Sequence, residues 1–359
     1  MRKITKKKYF KRNLVLSIIL IINIIIIGVL IYLLSPVSKN NKDVEFIVPE
    51  GASLLQIGRS LKEEGLIKSE KFFLGYTILT NKRNIYAATY TLNDNMKLSD
   101  IVDTLDTGGV NSEEITITFN EGLNIRQIAG IISEETNNSY DEVIALANDE
   151  TYINELINKY WFITKDIKNN NIYYSLEGYL YPDSYNFSSK DVTVREIFDA
   201  MITHMAENLE KYQDDFEKSD YSIHELMTLA SIVELEVTEN SRKDIAGLFY
   251  NRLEANMSLG SDPTSYYGAQ KDMDAELSQA EYDEVNAYNT RAAGMEGKLP
   301  VGPICNPSLN AIEAVLNPST HDYYYFVTDR NGKVYLTKDY DNHTKVIENL
   351  KSEGLWLEW

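Results

Sequence analysis

Two glutamates stand at the end of an otherwise apolar segment, LASIVELEV, which spans residues 229–237. On a helical wheel Glu234 lies on the apolar stripe with Ala230, whereas Glu236 lies at the edge of that stripe. A carboxyl group on a buried stripe is either paired with a cation or keeps its proton because its pKa is raised. A protonated carboxyl is the proton donor that glycoside cleavage requires. We therefore predict that Glu234 is a catalytic acid.

A structural ion pair is the alternative reading of this motif. The next predicted helix carries Arg252 among its apolar residues, so Arg252 could neutralise either carboxylate. The positions on the wheel favour Glu236 as the partner of Arg252 and leave Glu234 as the unpaired acid. Residue spacing alone keeps both pairings open.

A third carboxylate lies in the segment LGSDPTSYYG, where Asp262 precedes Pro263. Proline restricts the residue before it to extended conformations, so a rigid turn is expected at Asp262. A carboxylate and several hydroxyls on such a turn could bind sugar hydroxyls. Aspartate is equally common as a plain turn former.

Aromatic and acidic residues alternate in LEGYLYPDSYNF, residues 176–187. Aromatic faces can stack on sugar rings, and carboxylates can bind sugar hydroxyls. The candidate contacts in this segment are Glu177, Tyr179, Tyr181, Asp183 and Tyr185. Tyrosine is also simply a favourable strand residue, so a purely structural role is the alternative.

The elements that must position these residues are mostly helices. Helical patterns are predicted over residues 139–169 with polar connections, 193–217, 222–239 and 241–257, and a further helix begins near Ser308. The tail predicts two strands, 322–329 and 334–337, and a closing helix. A loop rich in Pro and Gly, residues 299–307, either walls a cleft or connects elements. Because strands and helices do not alternate regularly, the predicted class is α+β.

A short pattern of an acidic residue, a turn former and a later Ile recurs at residues 50–57, 94–101 and 121–128. Each copy follows an alternating apolar run and precedes helical spacing, which predicts a strand, a turn and a helix. Three copies within about 80 residues suggest a compact wall-binding or adaptor module. Coincidence among short strand–turn–helix units is the alternative.

The N-terminus predicts a membrane anchor. Residues 1–12 carry seven Lys or Arg and no acidic residue, and the apolar stretch within 13–34 is long enough to cross ~30 Å of hydrocarbon. The basic side is expected in the cytoplasm, so the chain after the polar linker 35–43 is expected outside it. A cleaved signal peptide is the alternative, but the apolar core is too long and no small-x-small site follows. The predicted localisation is the cell membrane, with a single pass and an extracytoplasmic C-terminal domain.

Composition excludes several classes of function. Beyond residue 12, 28 basic residues face 54 acidic ones, a net charge near −26, which argues against nucleic acid as a partner. Cys305 is the one cysteine of the sequence, so no intrachain disulfide can form. The four histidines, His204, His224, His321 and His343, have no metal-ligand spacing. The sequence therefore predicts no metal and no other cofactor.

Several motifs in order resemble the YceG-like (MltG-type) family of endolytic murein transglycosylases. They are LEGYLYPDSYNF, LASIVELE, LFYNRLEANMSLGSDPTSYYG, AYNT, LPVGPICNPSLNAI and the tail YYYFVTDRNGKVYL. The resemblance runs from about residue 45 to the end of the chain. It implies an N-terminal anchor, a LysM-like subdomain at 44–115 and a catalytic domain at 116–359. It also implies a membrane-embedded lyase that cleaves nascent peptidoglycan glycan strands, ends their elongation, and works beside peptidoglycan synthases and elongation or division proteins.

The resemblance also implies roles for single residues. The catalytic glutamate of the family is the first acid of its ASIVExE motif, which corresponds to Glu234, with Arg252 and Glu236 as structural support. One carboxyl protonates the oxygen between MurNAc and GlcNAc and then takes the proton of the MurNAc 6-hydroxyl, which closes on C1 to leave a 1,6-anhydro end. The residues expected at the substrate are Glu177, Tyr179, Tyr185, Asn251, Asp262, Thr264 and Asn289.

Three positions depart from the family pattern. Gly260 stands where Gln is usual, Arg291 where an aromatic residue is usual, and Val334 where His is usual, so substrate contacts at these positions are expected to differ. Two other functions fit the same sequence. One is a non-catalytic wall-binding scaffold for the elongation or division machinery, and the other is a muramidase that uses water.

Overall fold

The computed structural model describes residues 2–40, 42–49, 51–83, 85–106, 108, 114–236 and 239–356. The side chains of residues 2–15 and of Glu239 are outside this description, as is Val237, which belongs to the apolar segment that carries the two glutamates. The fold is a mixture of helices and small antiparallel sheets, so the α+β class is confirmed. The chain divides into two compact units, residues 1–114 and 115–359.

The first unit is a two-stranded sheet covered by helices. Its elements are α1 (Arg2–Leu34), β1 (Asp43–Val48), α2 (Leu54–Glu63), α3 (Glu70–Leu79), β2 (Ala88–Asn93) and α4 (Leu98–Asp106). The strands β1 and β2 pair antiparallel, with Phe46 opposite Tyr90. These two side chains are buried with Leu61 and Ile101, because alternate strand residues face the helices.

The helix predicted over residues 13–34 forms as part of the longer α1. Across the described residues, however, no helix has the length and apolar character needed to cross a membrane. The end of α1 is tied to its own unit by Lys68. The Lys68 ammonium donates to the Tyr32 carbonyl (2.8 Å) and to the Ser35 hydroxyl (2.7 Å).

The three predicted strand–turn–helix repeats form locally, but they do not make one module. Two of them, β1–α2 and β2–α4, lie in the first unit, while β3 (Ile115–Thr118) and α5 (Ile125–Glu135) lie in the second. The strand β3 pairs with β4 (Ser184–Phe187), far along the chain. In two copies the shared pattern encodes a capping box, closed by Gln56 on Ser53 and by Gln127 on Asn124. The pattern therefore specifies where the helices start. Which unit each copy belongs to depends on the strand with which its own strand pairs.

The second unit packs its helices around α10. Its further elements are α6 (Tyr140–Ala147), α7 (Glu150–Lys159), α8 (Val194–Leu209), α9 (Gln213–Lys218), α10 (Ile223–Glu236), α11 (Arg242–Glu254), α12 (Asp262–Gly268), α13 (Gln279–Tyr282), α14 (Leu309–Leu316), β5 (Tyr325–Thr328), β6 (Val334–Thr337) and α15 (Tyr340–Ser352). Nearly every residue of α10 from His224 to Val233 is buried, and the helix packs against α11, α12 and α14.

The rigid extended turn predicted at Asp262 is wrong. Asp262 is instead the first residue of α12, with Ser261 as the extended N-cap residue and Pro263 in the first turn. Proline is tolerated there because the first N–H groups of a helix have no partner within the helix. The prediction for Ser308 is confirmed, since Ser308 caps α14 and its hydroxyl accepts from Ala311 N (3.2 Å).

Candidate active site

The helix α10 delivers both candidate acids at its C-terminal end. Residues two apart on a helix are rotated by about 200° around its axis, so their side chains point to nearly opposite sides. Glu234 and Glu236 therefore face different neighbours, although they share one apolar segment. These neighbours come from elements that follow α10 in the sequence.

Glu234 is held by a cation and by a helix start. Its Oε1 pairs with Arg242 Nη2 at 2.5 Å, and its Oε2 accepts from the backbone N (2.9 Å) and the hydroxyl (2.5 Å) of Ser308. The side chains of Glu234 and Arg242 are 6% and 12% exposed. The expectation that Glu234 is buried is thus confirmed, but the expectation that it is unpaired is wrong. The cation comes from the first turn of α11, a position that the helical wheel does not connect to Glu234.

Glu236 lies in a different environment, partly buried and without an ion pair to any described cation. Desolvation raises the pKa of Glu236 to about 7, and the negative charge of Asp262 adds to that rise. The neighbouring Ser261 hydroxyl and the charges of Arg291 and Arg252 act in the opposite direction. A carboxyl with this pKa is about half protonated near neutral pH, which suits both donating and accepting a proton.

The predicted ion pair between Arg252 and Glu236 is not formed. Arg252 Nε donates to the Tyr324 carbonyl (2.6 Å), and Nη1 donates to the Leu259 carbonyl (2.5 Å). The guanidinium is thus anchored by backbone oxygens, and its charge reaches Glu236 only from a distance. Burial lowers the pKa of Arg252, and the Glu236 charge opposes that change.

Ser261 was not predicted from the sequence as a site residue. It is 1% exposed, and its hydroxyl has no partner of hydrogen-bond geometry among the described residues. Buried polar groups usually have a partner, so a hydroxyl that acts on the Glu236 carboxyl without full hydrogen-bond geometry suggests a ligand contact. The SDPT motif was the available signal, but its predicted contacts were Asp262 and Thr264 and did not include Ser261.

A second cluster, Asp262 with Arg291 and Tyr282, borders the acid and is open to solvent. Asp262 forms an ion pair with Arg291, and Tyr282 donates its hydroxyl to Asp262 Oδ1 at 2.6 Å. The Arg291 guanidinium also lies 5.2 Å from the centre of the Tyr282 ring. Arg291, one of the three departures noted in the sequence, is therefore part of this cluster, and its charge reaches Glu236 from a distance.

Thr264 and Asn289, both predicted to contact the substrate, hold this cluster in place from the protein interior. Thr264 and Asn289 are fully buried. The Thr264 hydroxyl donates to the Ser261 carbonyl (2.6 Å), and Asn289 Oδ1 accepts from Arg291 N (3.0 Å). They hold the start of α12 against the loop that carries Arg291. Among Asp262, Thr264 and Asn289, the three predicted substrate contacts in this region, Asp262 is the one at the surface.

The remaining predicted contacts have their polar groups taken by the protein. Tyr179 is buried with its hydroxyl 2.8 Å from His224 Nδ1, and the buried Tyr185 donates its hydroxyl to the Tyr181 carbonyl (2.7 Å). Asn251 Nδ2 donates to the carbonyls of His321 and Tyr323, both at 2.9 Å. The two tyrosine hydroxyls and the Asn251 amide nitrogen are therefore engaged within the protein.

Glu177 is also an interior residue. It is 1% exposed and accepts from Ile125 N (3.0 Å), the Tyr267 hydroxyl (2.9 Å) and Asn306 Nδ2 (3.2 Å). Burial raises the pKa of Glu177 to about 8, although these hydrogen bonds oppose the change. Its position joins α5, α12 and the loop before α14, so it supports the fold around the site.

Among the described residues no group of His, Cys, Asp and Glu could hold a metal ion.

Comparison with known proteins gives one consistent result. Residues 46–349 match the model of the YceG-like family. The chain is 39% identical over 333 residues to an endolytic murein transglycosylase of Bacillus subtilis (strain 168), covering 90% of this chain and 91% of that protein. It is 32% identical over 340 residues to an endolytic murein transglycosylase of Streptococcus pneumoniae (strain D39), covering 89% of this chain and 61% of that one. A crystal structure of a yceG-like protein from Listeria monocytogenes matches with a TM-score of 0.60 and 31% identity, covering 86% of this chain and 100% of that one.

Proposed function

The chain belongs to the YceG-like family, and we propose that it is an endolytic lytic transglycosylase that cleaves the glycan strands of peptidoglycan. The observation that carries this proposal is Glu236, a desolvated carboxyl with a pKa of about 7. It lies beside an unsatisfied hydroxyl and a solvent-exposed polar cluster. The relatives named above are called transglycosylases, which supports the same reaction class.

In the proposed mechanism one carboxyl serves both steps. Protonated Glu236 gives its proton to the oxygen that links MurNAc to GlcNAc, and the bond from that oxygen to MurNAc C1 breaks. The resulting carboxylate then takes the proton of the MurNAc 6-hydroxyl, whose oxygen bonds to C1. The products are a new GlcNAc end and a 1,6-anhydroMurNAc end. No water is added, so the second carboxylate of an ordinary glycoside hydrolase is not needed.

Glu234, the acid that the family motif indicates, remains the alternative donor. Its two carboxylate oxygens already bind Arg242 and Ser308, so both oxygens are engaged within the protein. Glu236 has no such ion pair and faces the exposed cluster of Asp262 and Arg291. These contacts favour Glu236 as the donor and Glu234 as the residue that holds α10 to the starts of α11 and α14.

The test compares Glu236→Gln with Glu234→Gln on purified uncrosslinked glycan strands. Glu236→Gln should keep the fold and lose cleavage by at least about a hundredfold, because the amide cannot donate the proton. Glu234→Gln leaves the buried Arg242 charge unpaired, so it should lower the free energy of unfolding by on the order of 3 kcal/mol. A folded but inactive Glu234→Gln beside an active Glu236→Gln would return the catalytic role to Glu234.

The end groups of the products separate the other functions. Mass spectrometry should find 1,6-anhydroMurNAc ends. Reducing MurNAc ends would instead indicate a muramidase, and uncut strands would indicate a wall-binding scaffold.

We also propose that α1 anchors the protein in the cell membrane with the second unit outside the cytoplasm. The support is the basic segment 1–12 before an apolar run, and the exposed apolar side chains of α1 between Leu16 and Tyr32. Membrane fractionation and protease protection of cells test this. Should the full chain stay in the cytosolic fraction, this part of the proposal fails.

Two further proposals follow from the family. The first unit would bind the wall as a LysM-like subdomain, and cleavage near the membrane would end the elongation of strands made by peptidoglycan synthases. Lengthened glycan strands in cells that produce only the Glu236→Gln variant would support the second proposal.

A further inference from the structure

We infer that Tyr325, Tyr340 and His343 form a sugar-stacking subsite that binds the glycan strand beside the catalytic carboxyl. This inference rests on the proposed function. It names a binding surface that the sequence motifs did not indicate, built from the C-terminal hairpin and the last helix.

The three rings form one cluster on two elements. Tyr325 belongs to β5, and Tyr340 and His343 lie three residues apart in the first turn of α15. The ring centres are 5.9 Å apart for Tyr325 and Tyr340, 5.6 Å for Tyr325 and His343, and 6.2 Å for Tyr340 and His343. Such distances are typical of packed aromatic groups, so the cluster is a formed surface.

Part of this surface is open to solvent. Tyr340 is 65% exposed. His343 Nδ1 is buried and has no hydrogen-bond partner among the described residues, so packing between the rings positions the imidazole. Burial and the nearby Arg252 charge lower the pKa of His343, which keeps the ring uncharged at neutral pH.

Arg252 connects this cluster to the site of the acid. Its guanidinium carbon lies 5.6 Å from the centre of the Tyr325 ring, and its Nη1 donates to the Leu259 carbonyl (2.5 Å). The backbone then turns at Gly260, which has a φ of +60°, into Ser261 beside Glu236. One guanidinium therefore contacts the aromatic cluster on one side and the backbone next to the acid on the other.

The chemistry of the surface suits an uncharged sugar ring. The face of a pyranose carries C–H groups that pack on aromatic rings, while its edge carries hydroxyls that need hydrogen-bond partners. Tyrosine offers both a flat ring and a hydroxyl. The cation Arg252 lies against the Tyr325 ring, which disfavours a cationic peptide as the occupant there.

The experiment measures binding of purified peptide-free glycan strands to the full-length protein, in the Glu236→Gln background so that the strands stay intact. Tyr340→Ala should weaken binding about tenfold, which corresponds to about 1.4 kcal/mol. Tyr340→Trp should keep the affinity, because it restores a flat ring. Tyr140→Ala is the matched control, since Tyr140 is a 40% exposed tyrosine on α6 outside the cluster.

The same Tyr340→Ala change in the otherwise unchanged enzyme should raise the KM for strand cleavage and leave kcat within about twofold. Unchanged binding and unchanged KM in a protein that cleaves strands would overturn the subsite and leave the proposed function standing. If the protein with native Glu236 and Tyr340 neither binds nor cleaves strands, the proposed function itself is overturned.

Discussion

At the scale of single residues, two glutamates of one helix turn have opposite electrostatic settings. Glu234 forms an ion pair with Arg242 and accepts hydrogen bonds from Ser308 at the N-terminus of α14. Glu236 is desolvated by the surrounding protein, and the positive charges of Arg252 and Arg291 act on it only from a distance. Burial of an acid was predictable from apolar periodicity. The identity of its partner was not, because pairing depends on the turn between α10 and α11 and on a distant helix start.

Arg291 contributes to the pH range of the proposed donor, which desolvation of Glu236 mainly determines. The Arg291 charge lowers the pKa of Glu236, and the Asp262 charge raises it. Arg291→Gln removes one of the charges that lower this pKa and leaves Asp262 without its ion-pair partner, so the pKa of Glu236 should rise. The high-pH limb of the kcat/KM profile, expected near pH 7, should then move to higher pH. The ratio of activity at pH 8 to activity at pH 6 should rise roughly threefold.

The control for Arg291→Gln is Lys271→Gln. Lys271 is another partly exposed cation, and it pairs with Glu281 at 2.7 Å instead of with Asp262. The control should leave the profile in place. A limb that stays fixed or moves to lower pH in Arg291→Gln would contradict the assignment of Glu236 as donor.

At the scale of elements, the sequence predicted helices and strands more reliably than their partners. The strand 334–337 and the start of α14 after Ser308 are confirmed, because local periodicity and capping encode them. The antiparallel pairing of β3 with β4 was missed, since strand pairing across about 70 residues leaves no local signal. The tyrosines of LEGYLYPDSYNF were read as a groove for the same reason. Nothing in their spacing indicates that Tyr179 and Tyr185 face the core.

Glu177 makes the packing of several elements sensitive to pH. Its pKa is about 8 in the folded protein and about 4.5 when exposed, so its contribution to stability is complete below pH 4.5 and is lost as the pH rises through 8. Glu177→Gln keeps the shape without a charge. The variant should therefore lose less stability than the native protein between pH 5 and pH 8, by on the order of 3 kcal/mol.

Urea unfolding at several pH values measures this difference. Glu348→Gln, a change at an exposed position of α15, is the control and should follow the native protein. Parallel curves for the native protein and Glu177→Gln would show that Glu177 remains charged in the folded state.

At the scale of the whole molecule, charge opposes the encounter with the proposed substrate. Beyond residue 12 the chain has 28 basic and 54 acidic residues, while the stem peptides of a glycan strand carry carboxylates. Like charges slow association, and salt screens charges that are more than about 10 Å apart at 0.1 M. The proposed binding therefore depends on short-range contacts such as those proposed for Ser261 and the aromatic cluster, which salt affects little.

This balance predicts an unusual salt dependence. Raising the ionic strength from about 10 mM to about 150 mM should increase kcat/KM on peptide-bearing strands by roughly two- to fivefold. Peptide-free strands are nearly uncharged and should show almost no change, which makes them the matched control in the same cleavage assay. A fall in kcat/KM with salt on peptide-bearing strands would mean that local cations such as Arg291 attract the substrate more strongly than the acidic surface repels it.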